Sequence, residues 1–355
     1  MRRGAKRAVM PRRALAEGRN RPPMLENRAG KLRLDMNENL LGCSPKVRAA
    51  LRRLDAQTLA TYPEKESAIA RMAPRLGVRP HEMLVVGGID EALRLIADVY
   101  VERGRSVLLV EPTFPMYRFY AEQRDAKIRA LHYGREMRFP LREVLRELKT
   151  GPSVFFLANP NNPTGNLLDV RTLGAILNAA ARTLVVVDEA YFEFSGVTVL
   201  PEIRRRRNLA VTRTFSKAAG LAGLRVGCIF AHRDVAEFLK RAQAPFPVGA
   251  AALAAAEAAL NDRAFVRRVV QEVQRGRTML ERGLSRLGVR TFPSAANFVS
   301  ADFGARGTAI VASLERRGIL IRDQAGSFDR PGFVRITAGT VKQMREFLDA
   351  LETLL

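Results

Sequence analysis

Between residues 80 and 230 the chain repeats one pattern: a short run of β-branched and aliphatic residues, a turn, then a helical stretch. The runs stand at 83–86, 106–110, 154–157, 184–187, 209–212 and 226–230. Each is too short for a helix and too uniformly apolar to leave one face in water. Between several of them lie helical periodicities, one at 90–102 that gathers Leu93, Ile96, Val99 and Tyr100 on one face, and another at 170–181. Strands buried on both faces and joined through helices make an α/β unit around an open, mostly parallel sheet sandwiched by helices. Such sheets take ligands beyond the carboxyl ends of their strands, so the residues that follow each run are where chemistry is expected.

After Pro245 the texture changes to helices at 250–260 and 265–287, strand-like runs at 297–301, 319–323 and 333–337, a helix at 310–317 and a closing helix. This reads as a smaller α+β unit. The expected division is a basic tail at 1–28, a large α/β domain at 61–245, and a small domain built from 29–60 and 246–355. Residues 32–54, upstream of the sheet, are expected to pack with it. A chain of 355 residues, 47% of them hydrophobic, has the core material for both units.

The formal charge of +23 raises nucleic-acid binding as an alternative. Only nine of the 59 basic residues are lysine, so most of the excess is arginine spread along the chain. The concentration lies at 1–28, with nine Lys/Arg against Glu17 and Glu26. Such a tail reads as disordered and solvated; a nucleic-acid arm, a membrane-surface arm or a targeting segment are the other readings. No basic stripe interleaved with aromatics appears elsewhere, which argues against nucleic acid as the main partner. The longest weakly polar stretch, 245–260, is too short to span a bilayer. Cys43 and Cys228 cannot build a disulfide framework, and with His81, His132 and His232 they offer no metal-ligand spacing. No metal is expected, and a reducing, cytoplasmic setting is.

Four strand ends carry chemistry. ANPNNPTG (158–165) is a turn in which Asn162 can present an amide to a ligand, although Asn-Pro turns are also simply structural. Asp188-Glu189-Ala190-Tyr191 puts an acid and a phenol after the 184–187 run; a lone Asp there also serves as a cap. In Thr214-Phe215-Ser216-Lys217 a lysine stands among small, hydroxyl and apolar residues in a chain that otherwise prefers arginine. A desolvated amine loses its proton more readily and attacks an aldehyde. Thr214, Ser216 and Arg225 can gather around a phosphate. Gly87-Gly88-Ile89-Asp90 opens a helix, where free N–H groups favour an anion, or else it is only a tight turn. One ligand satisfies all four: an aldehyde for Lys217, a phosphate for the glycine turn and hydroxyls, a ring nitrogen for Asp188 and a ring hydroxyl for Asn162 and Tyr191. That ligand is pyridoxal 5′-phosphate.

With these residues in place the chain resembles the fold-type I aminotransferases, and within them the histidinol-phosphate aminotransferase group. The resemblance rests on DMNENLLGCSP (35–45), YPE (62–64), GGIDEA (87–92), EPTFPMY (111–117), ANPNNPTG (158–165), VVVDEAYFEF (185–194), RTFSKAAGLAGLRVG (213–227), PSAANF (293–298), RDQ (322–324) and RITAGT (335–340), in the family's order. It implies that Lys217 carries the cofactor and moves the substrate proton, that Asp188 keeps the ring nitrogen protonated, and that Asn162 and Tyr191 hold the ring oxygen. It further implies that Phe114 stacks on the ring and that Gly88, Ile89, Asp90, Thr214, Ser216 and Arg225 surround the phosphate. Tyr62 is similar to a tyrosine that reaches the neighbouring subunit's cofactor, which implies a homodimer with shared sites.

For the substrate, Asn37, Asn39, Arg322 and Arg335 match pocket positions. The implied reaction is amino transfer from histidinol phosphate to 2-oxoglutarate, in histidine biosynthesis. An aromatic amino acid aminotransferase or a threonine-phosphate decarboxylase-like paralogue is the alternative. Two departures bear on that choice: Leu40-Leu41 stand where many members have Pro and an aromatic residue, and Pro247 stands where Asn is common.

Overall fold

The computed structural model describes residues 26–328 and 331–355, so the expectations for the tail up to residue 25 lie outside the described residues. Among the described residues there are twelve strands: β1 (Leu32–Leu34), β2 (Met83–Val86), β3 (Ser106–Glu111), β4 (Lys127–His132), β5 (Val154–Ala158), β6 (Leu184–Asp188), β7 (Leu209–Thr214), β8 (Gly227–Ala231), β9 (Arg290–Phe292), β10 (Phe298–Asp302), β11 (Ile319–Asp323) and β12 (Phe333–Thr337). Seven of them form one sheet in the order β2-β8-β7-β6-β5-β3-β4. All neighbours run parallel except β8, which is antiparallel to both β2 and β7.

The uniformly apolar runs are explained by the two faces of this sheet. Val185 and Val187 of β6 and Phe155 and Leu157 of β5 enter one core layer. Their alternates Leu184, Val186, Val154 and Phe156 enter the other. Helix Ile89–Tyr100 covers the second layer with Ala92, Leu93, Leu95, Ile96 and Ala97. The carboxyl ends of β2, β3, β5, β6 and β7 therefore reach the same edge, where the signature residues follow them.

The second sheet has the order β1-β11-β12-β10-β9, with β1 parallel to β11 and the remaining pairs antiparallel. Val334 and Ile336 of β12 face a core shared with helices Arg263–Arg286, Gly307–Arg316 and Val341–Glu352. Strand alternation then leaves Phe333, Arg335 and Thr337 on the opposite face, toward the seven-stranded unit. No described helix is long and apolar enough to cross a membrane.

Four features differ from the sequence expectations. Residues 32–54 do not pack as one piece on the large sheet: Leu32–Leu34 pairs with β11 of the smaller sheet, while helix Pro45–Arg52 sends Val47 into the large sheet's core. Helix Ala250–Leu260, expected in the smaller unit, also lays Ala252, Leu253, Ala255 and Ala256 into that core, where its small alanines allow a close approach. Strands β4 and β9 have no counterpart among the apolar runs; both are edge strands, and their charged residues suit an edge that faces solvent. Arg28, placed in the tail by composition, is half-buried and pairs with Asp35 and Glu38, each at 2.7 Å.

Candidate active site

Asp188 ends β6 and is 4% exposed. Its Oδ2 accepts a hydrogen bond from the Tyr117 hydroxyl at 2.7 Å and its Oδ1 accepts one from the Ala190 N–H at 3.1 Å. Burial nevertheless raises its pKa to about 6, the condition of a carboxylate that lacks a cation and would gain from one. Tyr191 stands three residues on, buried, with its ring edge-on to Phe298 at 5.4 Å and its hydroxyl accepting from Asn37 Nδ2 at 2.8 Å.

Lys217 follows the end of β7. Burial, with Arg335 as the next influence, lowers its amine to about 8, and Nζ donates to the Met36 carbonyl at 3.1 Å. Its loop is held down by Gly220 at φ 72°, where a Cβ would run into the Gly42 carbonyl; this is a position only glycine fills. Asn39 secures the same loop, with Nδ2 donating to the Ala218 carbonyl at 2.9 Å and Oδ1 accepting from Leu41 N.

The anion cradle lies beside it. Gly88, at φ 86°, precedes helix Ile89–Tyr100, whose first N–H groups at Ile89 and Asp90 have no intrahelical acceptor. A Cβ on Gly88 would meet the Arg225 guanidinium, so the glycine is what admits Arg225 to the turn. Arg225 also pairs with Asp90 at 3.3 Å. Thr214 and Ser216, both buried, join Oγ1 to Oγ at 2.9 Å. Phe114 is half-buried, edge-on to Tyr117 at 5.6 Å. Pro247, one of the two departures, brings its carbonyl to 3.4 Å from where a Cβ on Gly87 would stand.

On the opposite wall Arg335 is 8% exposed. Its Nη1 donates to Asn162 Oδ1 and its Nη2 to the Asp35 carbonyl, both at 2.5 Å, while Nε has no partner. It makes no ion pair among the described residues. Directly across the β11–β12 pairing lies Arg322, so two guanidinium side chains share one patch of sheet. Burial, reinforced by Arg322, lowers Arg335 to about 10. Like charges in register oppose each other unless an anion joins them. Asn37, in the left-handed region at φ 55°, is tied to Thr337 through its N–H (3.0 Å) and through its Oδ1 (3.1 Å), and its carbonyl accepts from Asn297 at 3.1 Å.

Most of the expected residues thus meet between the two sheets. Tyr62 does not join its own chain's site: it is 77% exposed and stacked on Phe246 at 4.2 Å. The sequence reading overlooked Tyr117, although EPTFPMY placed it one helical turn after Phe114. It also overlooked Arg28, counted there as tail charge, and Asp35, Thr337 and Asn297, which lie inside the motifs but whose contacts to Arg335 and Asn37 span 260 to 300 residues.

A buried lysine of lowered pKa, a buried acid without an ion-pair partner, a cradle of helix N–H groups, hydroxyls and Arg225, and an arginine with an unpaired Nε fit pyridoxal phosphate together with an anionic substrate. This fold and donor set define a pyridoxal-phosphate-dependent transaminase. The chain belongs to the aminotransferase class I and II family, whose profile matches residues 29–351. It is 38% identical to histidinol-phosphate aminotransferase 2 of Methylococcus capsulatus, covering 91% of this chain and 90% of that one. It is 39% identical to the histidinol-phosphate aminotransferase of Symbiobacterium thermophilum over the same shares. The crystal structure of histidinol-phosphate aminotransferase from Sinorhizobium meliloti in complex with pyridoxal-5′-phosphate superposes with a TM-score of 0.83 at 27% identity, covering 91% of this chain and 92% of that one.

Proposed function

We propose that this enzyme moves the amino group of histidinol phosphate to 2-oxoglutarate, leaving imidazole-acetol phosphate and glutamate, as a step of histidine biosynthesis in the cytoplasm. The observation that carries the choice of substrate is the facing pair Arg322 and Arg335, the latter with a buried, unpaired Nε. A phosphate dianion joins two guanidiniums better than a single carboxylate does. The names of the curated relatives support the same substrate.

Bound pyridoxal phosphate supplies an aldehyde that exchanges its oxygen for the substrate nitrogen and a protonated ring that accepts the electron pair left at the substrate carbon. Around it, Gly88, Ile89, Asp90, Thr214, Ser216 and Arg225 would hold the phosphate. Phe114 would cover the ring, Asp188 would pair with the ring nitrogen, and Asn162 and Tyr191 would hold the ring oxygen. Lys217, its amine held near pH 8, keeps a neutral fraction at neutral pH and takes the proton from the donor's Cα. Arg335 and Arg322 hold the substrate anion, Asn37 fixes the Tyr191 hydroxyl, and Asn39 holds the Lys217 loop. Leu40 and Leu41, which stand where many members have Pro and an aromatic residue, pack half-buried against the cores of the smaller unit and of Tyr191 respectively.

The exposed stack of Tyr62 on Phe246, with exposed Leu59, supports a homodimer in which Tyr62 completes the partner's site. The function is tested by half-reactions with histidinol phosphate, phenylalanine and threonine phosphate, followed through the cofactor's absorbance. Histidinol phosphate is expected to react fastest; preference for phenylalanine, or decarboxylation of threonine phosphate, overturns the reading.

A further inference from the structure

We propose that Tyr117 is a positioning residue for the cofactor ring: its hydroxyl orients the Asp188 carboxylate and keeps it ionised, while its ring sets the plane of Phe114. This inference rests on the assignment of Asp188 to the ring nitrogen.

Tyr117 is 0% exposed and has little freedom to turn. One ring face stacks on Phe156 at 5.4 Å with the planes 7° apart, and Phe114 meets it edge to face at 5.6 Å and 82°. The hydroxyl is thereby held 2.7 Å from Asp188 Oδ2. Oδ1 takes the Ala190 N–H, so the two carboxylate oxygens are held by donors from different segments, with the Thr212 hydroxyl a further donor beside them. The carboxylate cannot rotate without losing both bonds. A single side chain, from a helix that Asp188's own strand does not belong to, thus orients the group that meets the ring's edge and the group that covers its face.

The hydrogen bond also acts on charge. Burial drives Asp188 toward its neutral form and the negative charge of Asp90 adds to that push, whereas the Tyr117 hydroxyl opposes it. Tyr191 and Lys217 are the other titratable neighbours, and Lys217 is itself influenced by Asp188. Tyr117 stays a protonated donor, since burial and the adjacent carboxylate both raise its own pKa. Without the hydroxyl, Asp188 would hold its proton to a higher pH, and a neutral acid does not hold a protonated ring nitrogen.

The test titrates full-length apoprotein with pyridoxal phosphate calorimetrically from pH 5 to 9, for wild type, Tyr117→Phe and Asp188→Asn. Tyr117→Phe keeps the ring stack and removes only the hydroxyl. It is expected to weaken cofactor binding about tenfold at neutral pH, the loss of one charge-assisted hydrogen bond, and to move the acid-side fall in affinity to higher pH. Incorporating 3-fluorotyrosine at position 117, which retains the shape with a more acidic hydroxyl, should move that fall to lower pH. This keeps the question answerable if the phenylalanine variant folds poorly. A Tyr117→Phe protein with the wild-type affinity and pH profile, or one that only melts earlier, overturns the role of Tyr117. Wild-type binding by Asp188→Asn overturns the Asp188 assignment beneath it.

Discussion

Lys217 Nζ donates to the main-chain carbonyl of Met36 at 3.1 Å, across 181 residues of sequence. The contact belongs to a series in which the carbonyls of Asp35, Met36 and Asn37 accept from Arg335, Lys217 and Asn297 in turn. The first two of these three consecutive carbonyls therefore hold the guanidinium and the amine at the places where substrate and cofactor are expected, and the third ties the turn at Asn37 to Asn297.

Lys217→Ala is expected to abolish turnover, and borohydride reduction of the wild-type holoenzyme should fix the cofactor on Lys217, as read by peptide mass. Because the amine titrates near 8, the neutral nucleophile gains population as pH rises through that value. Cofactor capture by apoprotein should therefore accelerate between pH 7 and 9 in stopped-flow measurements. Recovery of the reduced adduct on another lysine would contradict the assignment.

Arg335→Ala should damage both half-reactions, whereas Arg322→Ala should raise KM for histidinol phosphate more than for glutamate, since a phosphate dianion can use both guanidiniums. Losing a charge-assisted contact to a buried anion costs on the order of 2 kcal/mol, about thirtyfold in kcat/KM. Equal effects of Arg322→Ala on the two substrates would remove it from the phosphate site.

Tyr62 gives a test of shared sites. Mixing Lys217→Ala with a severely impaired Tyr62→Ala protein should restore part of the activity, because some heterodimers then hold one intact composite site. Heterodimers demonstrated by mass spectrometry that show no recovery would count against the arrangement.

Arg28 predicts a stability effect outside the chemistry. Its removal leaves the fully buried Asp35 and the neighbouring Glu38 without their shared cation, and Arg28→Ala should cost about 3 kcal/mol in denaturant unfolding. Burial disfavours the charged form of Glu38, yet the hydrogen bond and charge of Arg28, joined by the charges of Arg33 and Lys217, together outweigh it and hold the pKa below the usual carboxylate value. This contribution is present above the ordinary carboxylate range and is lost as pH falls through the lowered value. Wild type and Arg28→Ala should therefore converge in stability toward acid pH.

Local chemistry was legible without coordinates. The apolar runs at 154–157 and 184–187, the glycine turn at 87–88 and the lysine among hydroxyls at 214–217 each announce themselves through their immediate neighbours, because a buried strand and a tight turn are specified within a few residues. Tertiary structure decided what those neighbours cannot encode. Tyr117 reaches Asp188 only because parallel strands β3 and β6 deliver the segments that follow them to the same edge. Asn37 meets Thr337 across 300 residues, and Arg322 stands opposite Arg335 through the register of β11 on β12. Register and inter-sheet placement follow from how whole faces pack, and a shift of one residue would turn Arg335 into the core and Ile336 toward the site.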